Sequence, residues 1–173
     1  MENIEASQFK SSKDVEKEEI AQYVTFIIQN EVYGVEVLKV QEIIGMTQIT
    51  HMPNSMTFMK GVINLRGSVV PVVDMRLKLK MQEKEYDQFT VILIVETKGV
   101  LVGMIVDAVS DVIGIPVDTI QETPHFSVNI DTDYIKGIGK KEEQLVIILD
   151  VDRILSTEEL NLVKKEKLEQ MIG

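Results

Sequence analysis

The chain has 173 residues, 45% hydrophobic and 27% charged, which is the balance of a globular protein with enough length to bury a core. Its formal net charge of −10 at pH 7 argues against nucleic acid, whose phosphates demand a basic face, and against an anionic membrane surface. With no cysteine, disulfides, thiolate metal sites and cysteine nucleophiles are excluded.

Residues 1–20 are polar and mixed in charge and read as a flexible tail without a secretory signal. No apolar run approaches the length of a membrane span, so a cytoplasmic protein is the simplest expectation. From Tyr23 the pattern becomes β-branched and aromatic. Tyr23–Ile28, a turn at Asn30-Glu31 and Val32–Val35 form a hairpin signal. Three more follow: Val62–Leu65 and Val69–Asp74 around Arg66-Gly67; Thr90–Val95 and Leu101–Val106 around Thr97-Lys98-Gly99; Tyr134–Gly139 and Leu145–Val151 around Lys140–Glu143. Many short strands with such turns predict barrels or sandwiches. At the C-terminus, Ser156-Thr157-Glu158-Glu159 has the form of a capping box, and Leu160, Val163, Leu168 and Met171 follow at helical spacing, so 157–172 is expected to be a helix packed on its own core.

The chain repeats itself. Lys60-Gly61-Val62 matches Lys136-Gly137-Ile138, and Asp74 matches Asp150, at an offset of about 76 residues. Gly34–Gly45 lies over Gly103–Gly114 at about 69, and Tyr23–Ile28 over Phe89–Ile94 at about 66. Each half is near the lower limit for a self-sufficient core, so two β modules packed face to face are expected. The boundaries are a tail at 1–20, halves at 21–85 and 86–156, and the helix at 157–173, with the sequence boundary near Lys84–Gln88.

The sequence shows no assembled reaction site. His51 and His125 each stand near a proline, outside any metal spacing, and read as surface loop residues. No Walker loop, nucleophile elbow or dinucleotide glycine motif is present. Asp74, Asp107, Asp111 and Asp150 fall at strand ends or turns, where capping accounts for them. Met46, Met52, Met56 and Met59 crowd one loop-like stretch, which leans toward a partner surface, although methionine mostly fills cores. The reading is a binding module with no catalytic residue, metal or cofactor. An OB-type nucleic-acid binder and a small acid-dependent hydrolase stand as alternatives; acidity and few aromatics oppose the first, and the missing nucleophile–base set opposes the second.

The run from Met59 to Arg76, with Asn64-Leu65-Arg66-Gly67 at its centre, resembles the signature of the CheW family of bacterial chemotaxis coupling proteins. So do Tyr33–Ile44 and Gly103–Val112; together the resemblance runs from about Gln22 to the C-terminus. It implies a mainly β protein: two pseudo-repeated five-stranded barrels of the SH3 or OB kind that exchange strands, with a core between them, plus the C-terminal helix. It implies an adaptor without catalytic activity that bridges the cytoplasmic tip of a methyl-accepting chemoreceptor to the regulatory domain of the CheA histidine kinase, at membrane-associated receptor arrays; a CheW-like scaffold of a non-chemotaxis chemosensory pathway is the alternative. By motif position, Val40, Glu42, Gly61, Leu65, Arg66 and Val112 are assigned to the receptor-contact region. An Arg66–Glu42 ion pair is expected, either bracing its loop or facing the receptor. Kinase contacts are expected at exposed turns, Thr97, Lys98 and Gly99, and Lys140, Lys141 and Glu142. Because Lys140-Lys141-Glu142-Glu143 departs from the Arg66-Gly67 tip, the two modules are expected to bind different partners.

Overall fold

A computed structural model describes residues 19–53, 56–122 and 134–172, with the side chains of 165–172 excepted. Of the expected tail at 1–20, residues 1–18 lie outside the described residues, as does His125, and Ile20 already opens the first strand. Among the described residues there are ten strands: β1 (Ile20–Ile28), β2 (Glu31–Glu36), β3 (Val40–Gly45), β4 (Met59–Leu65), β5 (Ser68–Asp74), β6 (Val91–Thr97), β7 (Val100–Val106), β8 (Ala108–Pro116), β9 (Ile135–Lys141) and β10 (Gln144–Leu149). Two four-residue helices, α1 (Met75–Lys78) and α2 (Val151–Ile154), precede α3 (Thr157–Ile172).

The strands form two five-stranded sheets. Sheet A runs β8-β1-β2-β10-β9 and sheet B runs β3-β6-β7-β5-β4. Each sheet therefore takes a hairpin from one sequence half and three strands from the other, which is the expected strand exchange. Each exchanged hairpin is held on both sides by the other half: β1–β2 lies between β8 and β10, and β6–β7 between β3 and β5. The seams of β2 with β10 and β5 with β7 are parallel, and the other strand pairs are antiparallel. In these seams Ile148 lies opposite Gly34 and Val72 opposite Gly103, positions related by the repeat.

The inner strands are buried on both faces, which is why they read as continuous apolar runs rather than alternating ones. In β6, Leu93 and Val95 enter a large core shared by both sheets, while Ile92 and Ile94 enter a smaller core inside sheet B. In β1, Val24, Phe26 and Ile28 join the shared core, and Tyr23 joins a small core inside sheet A with Ile115, Val146 and Ile148. This corrects one repeat alignment. Both first hairpins close with two-residue turns, Gln29–Asn30 and Lys98–Gly99, so β1 lies over β6 at offset 69, not 66. At 69, Val24 and Phe26 match Leu93 and Val95, which occupy the same core.

Each sheet curls until the chain leaving its edge strand meets the opposite edge. Beyond β3, Thr50 exchanges backbone hydrogen bonds of 2.8 and 2.9 Å with Val62 of β4; beyond β8, Gln121 does the same with Ile138 of β9 at 3.0 and 2.8 Å. The repeated glycines make this approach possible. A Cβ at Gly61 would lie 2.8 Å from the Thr50 carbonyl carbon and closer still to its oxygen; at Gly137 it would lie 2.6 Å from the Gln121 oxygen.

Asp74 and Asp150 cap α1 and α2 with their carboxylates, and Asp74 also accepts from the Tyr86 hydroxyl at 2.7 Å. Burial, and then this carboxylate, raise the Tyr86 hydroxyl pKa far above its ordinary value. The helix α3 opens with the expected capping box: the Ser156 amide donates to Glu159 Oε1 at 2.8 Å, and the Glu159 amide donates to Ser156 Oγ at 3.1 Å. Leu160 and Val163 then bury into the shared core, and Glu159 pairs with Lys78 at 2.9 Å, so the helix packs on its own protein. The methionines pack inward as well. Met59 belongs to the shared core with Met56 against it, Met46 packs on the sheet B core, and Met52 is buried. Met52 and Met59 are buried and Met46 and Met56 half-buried, so core filling accounts for most of the stretch; methionine suits such irregular space.

Candidate docking surface

The Arg66-Gly67 turn closes β4 onto β5 with both residues in positive φ, 49° and 88°, the geometry of a two-residue hairpin turn. The Gly67 amide donates to Asn64 Oδ1 at 2.8 Å, which fixes the tip. Arg66 then reaches across to β3. Its Nη1 and Nη2 donate to Glu42 Oε1 and Oε2 at 2.8 and 2.6 Å, a bidentate pair. The expected ion pair is present, and it joins the two opposite edge strands of sheet B. The Arg66 hydrogen bonds are the main cause that lowers the Glu42 pKa, and those same bonds raise that of Arg66. The Arg66 side chain keeps 71% of its surface and Glu42 30%, so one pair braces the sheet and still presents a guanidinium.

Five of the six receptor-contact candidates thus share sheet B. Val40 and Glu42 stand on β3; Gly61 and Leu65 stand on β4, and Arg66 on its turn. Val112 stands on β8 of sheet A, opposite Val24, and is exposed. Its repeat counterpart is Ile43 on β3, also exposed, so each sheet offers an apolar residue on the matching edge strand. Gly61 is buried, and its part is to admit Thr50 rather than to present a surface. Sheet A has no counterpart of the ion pair: the matching positions are Asp111 and Glu142, both acidic.

Among the turn candidates, Lys98 and Gly99 form the exposed β6–β7 turn, and Lys140, Lys141 and Glu142 are exposed at the β9–β10 turn. Thr97 is a correction: it is 2% exposed, because the alternation that points Val95 inward points Thr97 inward too. Its hydroxyl has no hydrogen-bond partner among the described residues. Sequence reasoning missed Leu38. It is 91% exposed in the one-turn 3-10 helix Val37–Lys39, and it lines an open cleft with Lys39, Glu96, Lys98, Gly99 and Asp152. A leucine between Val37 and Lys39 carries no sequence signal of exposure; the repeat gives one, since the matching residue is Asp107.

Among the described residues no group of three or more His, Asp or Glu side chains is placed to hold a metal, and no helix is long and apolar enough to cross a membrane. His51 is exposed, as expected.

Fold and surface together define a class: a duplicated two-sheet module with exchanged strands, whose distinctive side chains stand on hairpin tips and edge strands. Comparison with known proteins gives the family. The CheW-like domain matches residues 22–159. The chemotaxis protein CheW of Klebsiella aerogenes is 41% identical over 142 residues, covering 82% of this chain and 86% of that one. That of Bacillus subtilis is 35% identical over 136 residues, covering 78% and 86%. The crystal structure of the scaffolding protein TtCheW from Thermoanaerobacter tengcongensis superposes with a TM-score of 0.75 at 31% identity, over 82% of this chain and 96% of that one. The chain belongs to the CheW family.

Proposed function

We propose that this protein is a non-catalytic adaptor that couples the cytoplasmic tip of a methyl-accepting chemoreceptor to the regulatory domain of a CheA histidine kinase within membrane-associated arrays. The observation that carries the reading is the tip of sheet B, where Glu42 fixes Arg66, Asn64 holds the Gly67 amide, and Ile43, next to Glu42 on β3, is exposed. A receptor tip is a helical hairpin, and an apolar edge strand flanked by a fixed cation suits a helix that presents an apolar stripe and a carboxylate. Val40, Leu65 and Val112 supply further apolar surface, and Gly61 acts through the backbone.

The kinase face is assigned to the other turns: Lys98 and Gly99 with Leu38, and Lys140, Lys141 and Glu142 on sheet A. The inequivalence of Arg66 and Glu142 supports different partners for these two repeat-related hairpin tips, since a surface shaped for one charge repels the other. The test mixes the protein with a receptor cytoplasmic fragment and CheA. The three are expected to co-sediment, with kinase activity responding to receptor only when the protein is present. Co-sedimentation and kinase response that are equal without it would overturn the proposal.

A further inference from the structure

Among the described residues the chain passes between the two sheets at two places. It leaves sheet A for sheet B through Val37–Lys39, between β2 and β3, and returns through the single residue Asp107, between β7 and β8. These are repeat-related crossovers, and they are braced very differently.

Asp107 is held from both sides. On the sheet A side, its amide donates to the Ile27 carbonyl at 3.0 Å, and its Oδ2 accepts the Gln29 amide at 3.0 Å. On the sheet B side, Arg76 of α1 donates from Nε to Oδ1 at 2.9 Å and from Nη2 to Oδ2 at 2.6 Å. Arg76 is itself fixed, since its amide donates to the capping Asp74 at 2.9 Å and its Nη1 to the Gln82 carbonyl at 3.2 Å. Both side chains of the ion pair are only 15% exposed. At the other crossover the pair is inverted. The residue of α2 matching Arg76 is Asp152, and it meets Lys39 at 3.1 Å through a flexible ammonium, with the two side chains 37% and 38% exposed.

We infer that the Arg76–Asp107 crossover is the fixed pivot that sets the angle between the two sheets, and that the Val37–Lys39 crossover is the compliant one. A bidentate, largely buried guanidinium–carboxylate pair with further backbone bonds admits one arrangement, whereas a half-exposed lysine pair is screened and mobile. The inference rests on the coupling reading for its consequence only: with the Arg66 tip on sheet B and the Lys140–Glu142 tip on sheet A, Arg76 and Asp107 are positioning residues that fix how these two tips, and the partners they meet, are presented to each other.

The pivot is tested on the isolated chain. Because the sequence has no cysteine, Ser68→Cys on β5 and Gln144→Cys on β10 accept spin labels alone, one on each sheet. Asp107→Asn, which keeps an acceptor for the Gln29 amide, and Arg76→Ala are each expected to broaden the inter-label distance distribution about twofold, while Lys39→Ala leaves it unchanged. A narrow distribution in folded Asp107→Asn, or equal broadening by Lys39→Ala, overturns the pivot. A measurement independent of variant folding is hydrogen exchange in the unaltered protein: the Gln29 amide, in an exposed turn, is expected to be protected more than about tenfold, and free exchange contradicts the clamp. For the positioning role, Asp107→Asn is expected to hold each binary affinity, for receptor fragment and for CheA, within about twofold while reducing the receptor-dependent kinase response several-fold. Loss of a binary affinity would place the pair in a docking face and overturn that role. Absence of binary binding in the unaltered protein would instead refute the coupling reading and leave the distance result standing.

Discussion

Gly61→Ala probes the closure of sheet B. Gly61 has a φ of 146°, a region that a residue with a Cβ enters at a cost of about 1–3 kcal/mol. The new methyl would also lie 2.8 Å from the Thr50 carbonyl carbon, and the obstacle is backbone, not the end of a side chain that can swing away. The strand must retreat, which puts the two Thr50–Val62 hydrogen bonds of 2.8 and 2.9 Å at risk. At about 1 kcal/mol each they add about 2 kcal/mol. The expected loss is therefore about 3–5 kcal/mol, a large part of the 5–15 kcal/mol typical of a folded domain. Gly67→Ala is the control. Its φ is 88° but a Cβ there meets nothing within 4 Å, so only the backbone cost remains, about 1–2 kcal/mol. Urea unfolding of the two variants beside the parent protein gives both values from the midpoints, with the slope unchanged. If the two differ by less than about 0.5 kcal/mol, the close approach of Thr50 does not carry the energy assigned to it.

Arg66→Ala and Glu42→Ala are each expected to weaken binding of a receptor fragment about tenfold, with the thermal midpoint nearly unmoved because the pair is surface-facing; calorimetry showing full affinity in both would remove them from the site. Thr97→Val is expected to stabilise the protein by about 1 kcal/mol, since it removes a buried hydroxyl without a partner at nearly constant shape; a lower melting temperature would contradict this. Burial by itself raises the Asp107 pKa, but the Arg76 guanidinium and the Gln29 amide outweigh it and leave it below the ordinary value. Such a carboxyl contributes stability that is complete above its unfolded pKa of about 3.9 and lost as pH falls through the lower folded value. The urea midpoint is thus expected to fall as the pH drops below about 4, more steeply in the parent than in Asp107→Asn; equal slopes would refute the assignment.

The hairpins were legible in sequence because their turns are short and their strands β-branched: Arg66-Gly67 stands at the tip where it was expected. The edge strands β3 and β8 were visible only as a repeat. Gln41 and Glu42, like Ser110 and Asp111, interrupt the apolar alternation there, because an edge strand faces solvent along much of its length. The parallel seams were not legible from spacing, since the pairing of β2 with β10 joins residues more than a hundred apart; the family resemblance supplied the exchange. Of the site, the Glu42–Arg66 pair followed from motif position. Thr97 was misplaced by treating a turn as uniformly exposed, when its last strand residue still obeys the inward alternation. Asp107 looks in sequence like a local cap, because its partner Arg76 lies 31 residues away on another element and no local pattern connects them.

Under the coupling proposal, two separate faces of the protein hold two partners. Backbone chemical-shift mapping with separately added receptor fragment and CheA regulatory domain tests it most directly. Receptor is expected to shift the Val40–Ile43 and Leu65–Gly67 signals, kinase those of Lys98, Gly99 and Lys140–Glu142, and both sets are expected to persist in the ternary mixture. Overlapping shifts, with one partner displacing the other, would contradict it.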